Sequence, residues 1–478
     1  MSDWERITGS EWDYFHAGHE ETFDKITNLK SDHIESYPFL SEITSLTIKR
    51  DDTSMALTGL IVFNFNEKSH HLFMSHVYSK IEHGDPIPDF TLNFINDEHG
   101  HYRREVEVVF RCVDNRRIMP DSAMMVRLGI IVYSVNIKKN KEEPKFVKEF
   151  YINSPKFTPQ RLRSLSMEQR FTETIEGRKA EIRRSDSFYK CEMGSIYHKG
   201  NEIQVYDIPK EITRGEYGCI VIKSNIETRR DKEYDIIVTY LSFLLGKRLC
   251  KVGEAHLTES GGHIELRSEL PNGYHYFRTQ NYTAPFRNEN GNPVFDIANK
   301  YVDTFIEKYI EYNLEEIFDL YWESSKYSMI TSIIHYHRTV QAMQYAYYGG
   351  KIPKALRMDK GTFNRLCEEG LEIIRVNMER ENVPGCDAIM ESMRNSYMQS
   401  LTKMHEDFGK KLNVIPTDEE IKMIGKANRI RHSSAVPDDE AFRIRNFYLT
   451  YVNRLIISLT GMGSEGYRDY SEGRYKPN

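Results

Sequence analysis

From about Ser41 to Ile137 the apolar residues arrive in short bursts, SLTIKR, ALTGLIVFNF, HHLFMSHVY, FTLNFI, EVEVVFRCV and VRLGIIVYSVNI, separated by Asp, Asn, Gly and Pro. Runs rich in Val, Ile, Phe and Tyr between turn-forming residues predict closely spaced strands. Residues 138–190 change character. KKNKEEPK reads as a charged hinge, and SPKFTPQRLRSLSMEQRFTETIEGRKAEIRRS is charge-dense with weak helical periodicity, which predicts a connecting segment with one exposed helix. NEIQVYDI, EYGCIVIKSN, HIELRSEL and GYHYFRTQ then read as strands. The apolar run YDIIVTYLSFLLG interrupts them and is long enough for a helix ending at Gly246.

Beyond about Pro293 the period changes from two to near 3.6 residues. Ile297, Tyr301, Phe305, Tyr309, Leu314, Ile317 and Tyr321 mark one long helix. Tyr327, Ile330, Ile334, Val340, Met343 and Tyr345 mark a second, ended by Gly349 and Gly350. Helical stretches near 361–380 and 386–411 follow. A further helix begins at Thr417, where Thr417-Asp-Glu-Glu420 spells a capping box. Pro437, followed by Asp438, Asp439 and Glu440, opens the last helix, whose core face is Ile444, Tyr448, Val452, Leu455 and Leu459 before Gly461 and Gly463. The expected class is α+β multidomain: a β-rich N-terminal domain (1–140), a charged connecting segment (141–195), a mixed α/β middle region (196–292), an all-α helical bundle (293–462) and a flexible tail (463–478).

A chain of 478 residues with 39% hydrophobic residues has ample material for such cores, at roughly two to four domains. Its net charge of −6 argues against indiscriminate coating of nucleic acid, so a polyanion site would have to be a local patch. Six scattered cysteines without a CxxC pair fit a reducing compartment and no zinc site. The polar, acidic start MSDWERITGSEWDYF lacks the regions of a signal peptide, and no apolar run is long enough to span a bilayer, so the expectation is a cytoplasmic protein without membrane contact.

One stretch concentrates chemistry. KANRIRHSSAV, Lys426 to Val436, sits at a helix end and the turn to the next helix; Asn428 and His432 are one helical turn apart, and Lys426, Arg429 and Arg431 surround them with no acid nearby. A histidine titrating near neutrality can move a proton while cations hold a phosphodiester and an amide orients it. Metal-free RNA cleavage needs such parts, because the 2′-hydroxyl supplies the nucleophile that DNA lacks.

An Asn and a His separated by three residues, late in a helical bundle and preceded by Arg to read RNxxxH, resemble the signature of HEPN ribonucleases. Here the string is Ala427-Asn428-Arg429-Ile430-Arg431-His432, which departs from the pattern at Ala427. A natural inactive relative, a coincidental NxxxH and an engineered alanine that silences a toxic nuclease remain three open readings. The layout, a long β-rich front, a middle helix and a C-terminal HEPN bundle, is similar to ApeA-like abortive-infection proteins of bacterial phage defence. The resemblance implies a metal-independent endoribonuclease acting on RNA, with tRNA a candidate, in which His432 and Asn428 are catalytic, Ala427 marks the missing arginine, and Arg429, Arg431 and Lys426 bind RNA. It also implies a homodimer through the bundle, a phage-derived trigger at the β-rich region and no cofactor. A non-catalytic HEPN-like interaction protein, whose bundle only dimerises or docks a partner, is the rival.

Other motifs carry less. His70-His71, His99-Gly-His101 and His335-Tyr-His337 lack the i, i+4 pair and carboxylate of a helical zinc enzyme, and His335, His337 and Arg338 read as bundle residues with RNA contact as a secondary option. GMGSEG matches a dinucleotide fingerprint by letters only, and neither a P-loop nor GxSxG occurs.

Overall fold

The computed structural model describes residues 15, 18–24, 26–31, 33–51, 55–83, 85, 87–98, 102–114, 125–138, 141–154, 163–175, 178–190, 192–208, 218–260, 262–270, 284–286, 297–326, 329–350, 360–394, 401–430, 436–465 and 467. An antiparallel β-sheet region precedes a helical region. The chain divides into two compact units, residues 1–284 with 292–302, and residues 285–291 with 303–478.

In the first unit the strands are β1 (Glu20–Phe23), β2 (Ile26–Ser31), β3 (Ile43–Arg50), β4 (Leu57–Asn64), β5 (Phe90–Glu98), β6 (Tyr102–Asp114), β7 (Met125–Lys138) and β8 (Phe146–Ser154). They continue with β9 (Arg163–Ile175), β10 (Arg178–Lys190), β11 (Glu192–His198), β12 (Asn201–Ile208), β13 (Gly218–Asn225), β14 (Cys250–Leu257) and β15 (His263–Glu269). One antiparallel sheet runs β1-β3-β4-β7-β15-β14-β8-β13-β12-β11, and β6, β5 and β2 extend from β7. β7 can serve three neighbours because its first half pairs with β4, its last five residues pair with β15, and β6 follows most of its length on the opposite edge. Side chains alternate in and out along β4, and Phe23, Phe39, Leu46, Ile61, Phe63, Phe90, Val108 and Leu128 meet in one core.

Several expectations need correction. HHLFMSHVY is helical: α1 (Glu67–Phe73) leads through a π-helical stretch (Met74–Tyr78) into α2 (Ser79–His83). Asn66 caps it by accepting from the Ser69 amide at 2.9 Å, and Ser69, Phe73 and Val77 are buried at a spacing of four. The segment read as a linker with an exposed helix contributes β8 and the β9–β10 hairpin instead. β8 lies between β13 and β14, so strands from either side of residues 140 and 195 share one sheet. β14 was not anticipated from CKVGEAHL, and GYHYFRTQ lies outside the described residues. α3 (Ile226–Arg230) precedes α4 (Tyr234–Leu245), which ends as expected where Gly246 adopts φ +70° and donates to the Phe243 carbonyl.

The helices that follow are α5 (Ala298–Tyr312), α6 (Glu315–Lys326), α7 (Met329–Tyr347), α8 (Lys360–Arg380), α9 (Cys386–Arg394), α10 (Leu401–Lys411), α11 (Asp418–Ile430) and α12 (Asp438–Leu459). The single long helix expected over Ile297–Tyr321 is two, because Asn313 turns left-handed at φ +48° and Leu314 donates back to Tyr309. α7 ends as expected at Gly349 and Gly350, with Gly350 donating to the Tyr345 carbonyl at 2.8 Å. α7 packs against α6 and α12, and α11 against α7, α10 and α12. Among the described residues no helix is long and apolar enough to cross a membrane.

Candidate functional site

α11 is built from its first residues upward. The Thr417 amide donates to Glu420 at 2.8 Å and the Glu420 amide donates to the Thr417 hydroxyl at 3.2 Å, so the capping box forms in both directions. Glu420, only 3% exposed, is also ion-paired with Arg454 of α12, which ties the start of one helix to the side of the next. Met423, Ile424, Ala427 and Ile430 are buried at helical spacing, forming the packed face.

That packing fixes what the end of α11 presents. Asn428 donates from Nδ2 to the Thr402 hydroxyl of α10 at 3.1 Å, while its Oδ1 is buried with no hydrogen-bond partner among the described residues. The amide is therefore held by one half and unsatisfied at the other, a local cost that a donor at Oδ1 would remove. Ala427 is 1% exposed, so an arginine there would have to thread its guanidinium out of the packed face. Lys426 is exposed and pairs with Glu440 of α12 at 2.6 Å. The expectation of cations with no acid nearby is thus corrected: Glu440, one of the acids that open α12, reaches the end of α11 and offsets one charge. Arg431 and His432 lie outside the described residues, as does the side chain of Arg429.

A second polar cluster was missed as a unit. His337 of α7, His405 of α10 and Tyr448 of α12 meet in the core: the Tyr448 hydroxyl lies 2.9 Å from His337 Nδ1 and 3.3 Å from His405 Nδ1, and the rings of the two histidines are 4.8 Å apart. Burial, reinforced by His337, pushes the His405 pKa well below its usual 6.5, and its Nε2 has no partner among the described residues. The sequence places His337 on a bundle helix as a core or surface histidine with RNA contact as a secondary option, and His405 carries no motif. Among the described residues no group of three or more His, Cys, Asp or Glu could hold a metal ion.

The sheet unit hides further charges. Arg50 is 1% exposed and donates to the carbonyls of Met55, Val252 and Glu269 and to the Ser268 hydroxyl, beside an apolar cavity of about 30 Å³. Burial draws its pKa down to about 9, which leaves it charged at neutral pH. Glu149, fully buried on β8, pairs with Arg229 and Lys251 at 2.8 Å each. Burial opposes the charge on Glu254, but hydrogen bonds from His256 and Lys251 outweigh it and hold the carboxyl well below its ordinary range.

Comparison with known proteins finds no matching protein family, no matching curated protein and no matching solved structure.

Proposed function

We propose that the helical unit is a HEPN-type, metal-independent endoribonuclease of a phage-defence protein, carried here in an inactive form by Ala427. The observation that carries the reading is Asn428: an amide at the last turn of α11, oriented by Thr402 and with its oxygen unsatisfied, four residues before His432. In the reaction the ribose 2′-oxygen attacks the adjacent phosphorus, the 5′-oxygen leaves, and a 2′,3′-cyclic phosphate results. His432 transfers the proton as base or acid, Asn428 orients the site, and Arg429 and Arg431 offset phosphate charge. The arginine missing at 427 would stabilise the phosphorane, and a second copy of the bundle would face the first across the phosphate. RNA, with tRNA as the leading candidate, is the substrate.

The test restores the motif. Ala427→Arg is expected to cut total tRNA in the presence of chelator, and adding His432→Ala is expected to abolish the cut. Because position 427 is buried, the helical circular dichroism of the revertant must match that of the parent; a folded revertant that leaves RNA intact overturns the reading.

A non-catalytic interaction protein is the second reading, and two observations favour it: the 1% exposure of Ala427 and the pairing of Lys426 with Glu440. It predicts that inducing the revertant does not slow cell growth.

A further inference from the structure

A cleft of about 750 Å³ lies over β2, β5, β6 and β7 in the first unit, within the range of volumes typical of ligand sites. Its floor follows from register. Lys30 opposes Asn93, Asn93 opposes Glu107 and Glu107 opposes Asn136, so these four form one row across four strands. In the next row on the same face Glu105 opposes Lys138. Phe94, Val106 and Ile137 between them point into the core, so the polar residues share the outer face.

The wall is made by an irregularity. Asn28, Leu29 and Lys30 of β2 line the cleft beside that floor. The register of β2 shifts between Thr27 and Lys30, and Asn28 takes φ +51°, a conformation that Asn tolerates better than most residues. Asn28 and Lys30, both exposed, border this irregular stretch of the cleft.

The charges select the occupant. Lys30, Lys138, Glu105 and Glu107 make no ion pair or side-chain hydrogen bond with any described residue, although Glu105 and Lys138 are cross-strand neighbours. The Oδ1 of Asn136 is buried and has no partner among the described residues. Two ammonium groups and two carboxylates sum to zero. A polyanion would meet Glu105 and Glu107, and an apolar ligand would strand four charges. A ligand with separated charges of both signs answers each group, and the amides of Asn28, Asn93 and Asn136 offer the donor and acceptor pair that a peptide group offers in return.

We propose that this cleft binds an extended peptide segment bearing side chains of both signs. Crossing four strands spaced roughly 4.8 Å apart takes about four or five extended residues. The proposal is independent of whether the helical unit cuts RNA, because it concerns only the first unit and is tested on the chain as it stands.

The test is an array of immobilised hexapeptides built from Lys, Glu, Asn and Ala, probed with the labelled full-length protein, beside a uridine oligonucleotide of matched length. Mixed-sign peptides are expected to be retained and the oligonucleotide not. The exposed-site variants Glu107→Gln and Lys138→Gln are expected to weaken retention at least tenfold at an unchanged urea midpoint, and the double reversal Glu107→Lys with Lys138→Glu to retain a different set of peptides. An empty array, retention by the variants equal to that of the parent, or retention of the oligonucleotide instead would overturn the proposal.

Discussion

Glu420 serves two structures at once, which sets the size of its expected effect. Thr417→Ala removes one acceptor at the start of α11 and should cost about 1 kcal/mol. Glu420→Ala removes the reciprocal bond and also leaves Arg454 without its carboxylate, so it should cost about 2–3 kcal/mol in urea unfolding. Equal costs would mean that the ion pair contributes nothing. His405 gives a pH signature. Its pKa in the fold lies well below 6.5, so below that pH the unfolded chain binds a proton that the folded chain refuses. Stability is then full above about pH 6.5 and falls as the pH drops, by at most about 1.4 kcal/mol per unit from this group. Urea midpoints at pH 7.5 and 5.5 should show the loss, and His405→Phe should reduce it. The capping box was legible because its spacing is local. The partners of Asn428 and Lys426 were not: Thr402 is 26 residues away and Glu440 is 14, and only packing brings them together.

At the scale of elements, burial on both faces is what sequence pattern handled worst. β8, which lies within the stretch expected to be a connecting segment, carries Lys148, Glu149 and Asn153 buried in its interior. Glu149 finds its partners on β14 and α3, in Lys251 and Arg229, which no local window contains. HHLFMSHVY failed for the opposite reason: its composition suits a strand, and the cap at Asn66 outweighs it. The helical period after residue 297 was legible because helices such as α5, α7 and α12 turn an apolar face inward, although the left-handed turn at Asn313 was not. Close approach between elements is tested at Gly409 in α10, where a Cβ would lie 2.5 Å from the Val414 carbonyl oxygen and 2.7 Å from the Tyr451 hydroxyl. Gly409→Ala should destabilise the helical unit by about 1–3 kcal/mol, whereas Gly370→Ala in α8, where nothing lies within 4 Å, should stabilise it by up to about 1 kcal/mol. Thermal melts of the two variants should therefore move in opposite directions.

For the whole molecule, the broad order of a sheet-rich front and a helical end was legible, and the division of the front was not, since one sheet takes strands from all three expected segments. The account of function rests on the helical unit, where the motif gives chemistry and the fold gives Asn428 an anchored position. Its most direct test is the chemical nature of the ends that Ala427→Arg leaves on tRNA in chelator, read by mass spectrometry. New 3′ ends carrying a 2′,3′-cyclic phosphate, absent when His432→Ala is added, are the predicted result. Intact tRNA with a folded revertant, or cuts leaving a free 3′-hydroxyl, would contradict a reaction driven by the ribose 2′-oxygen.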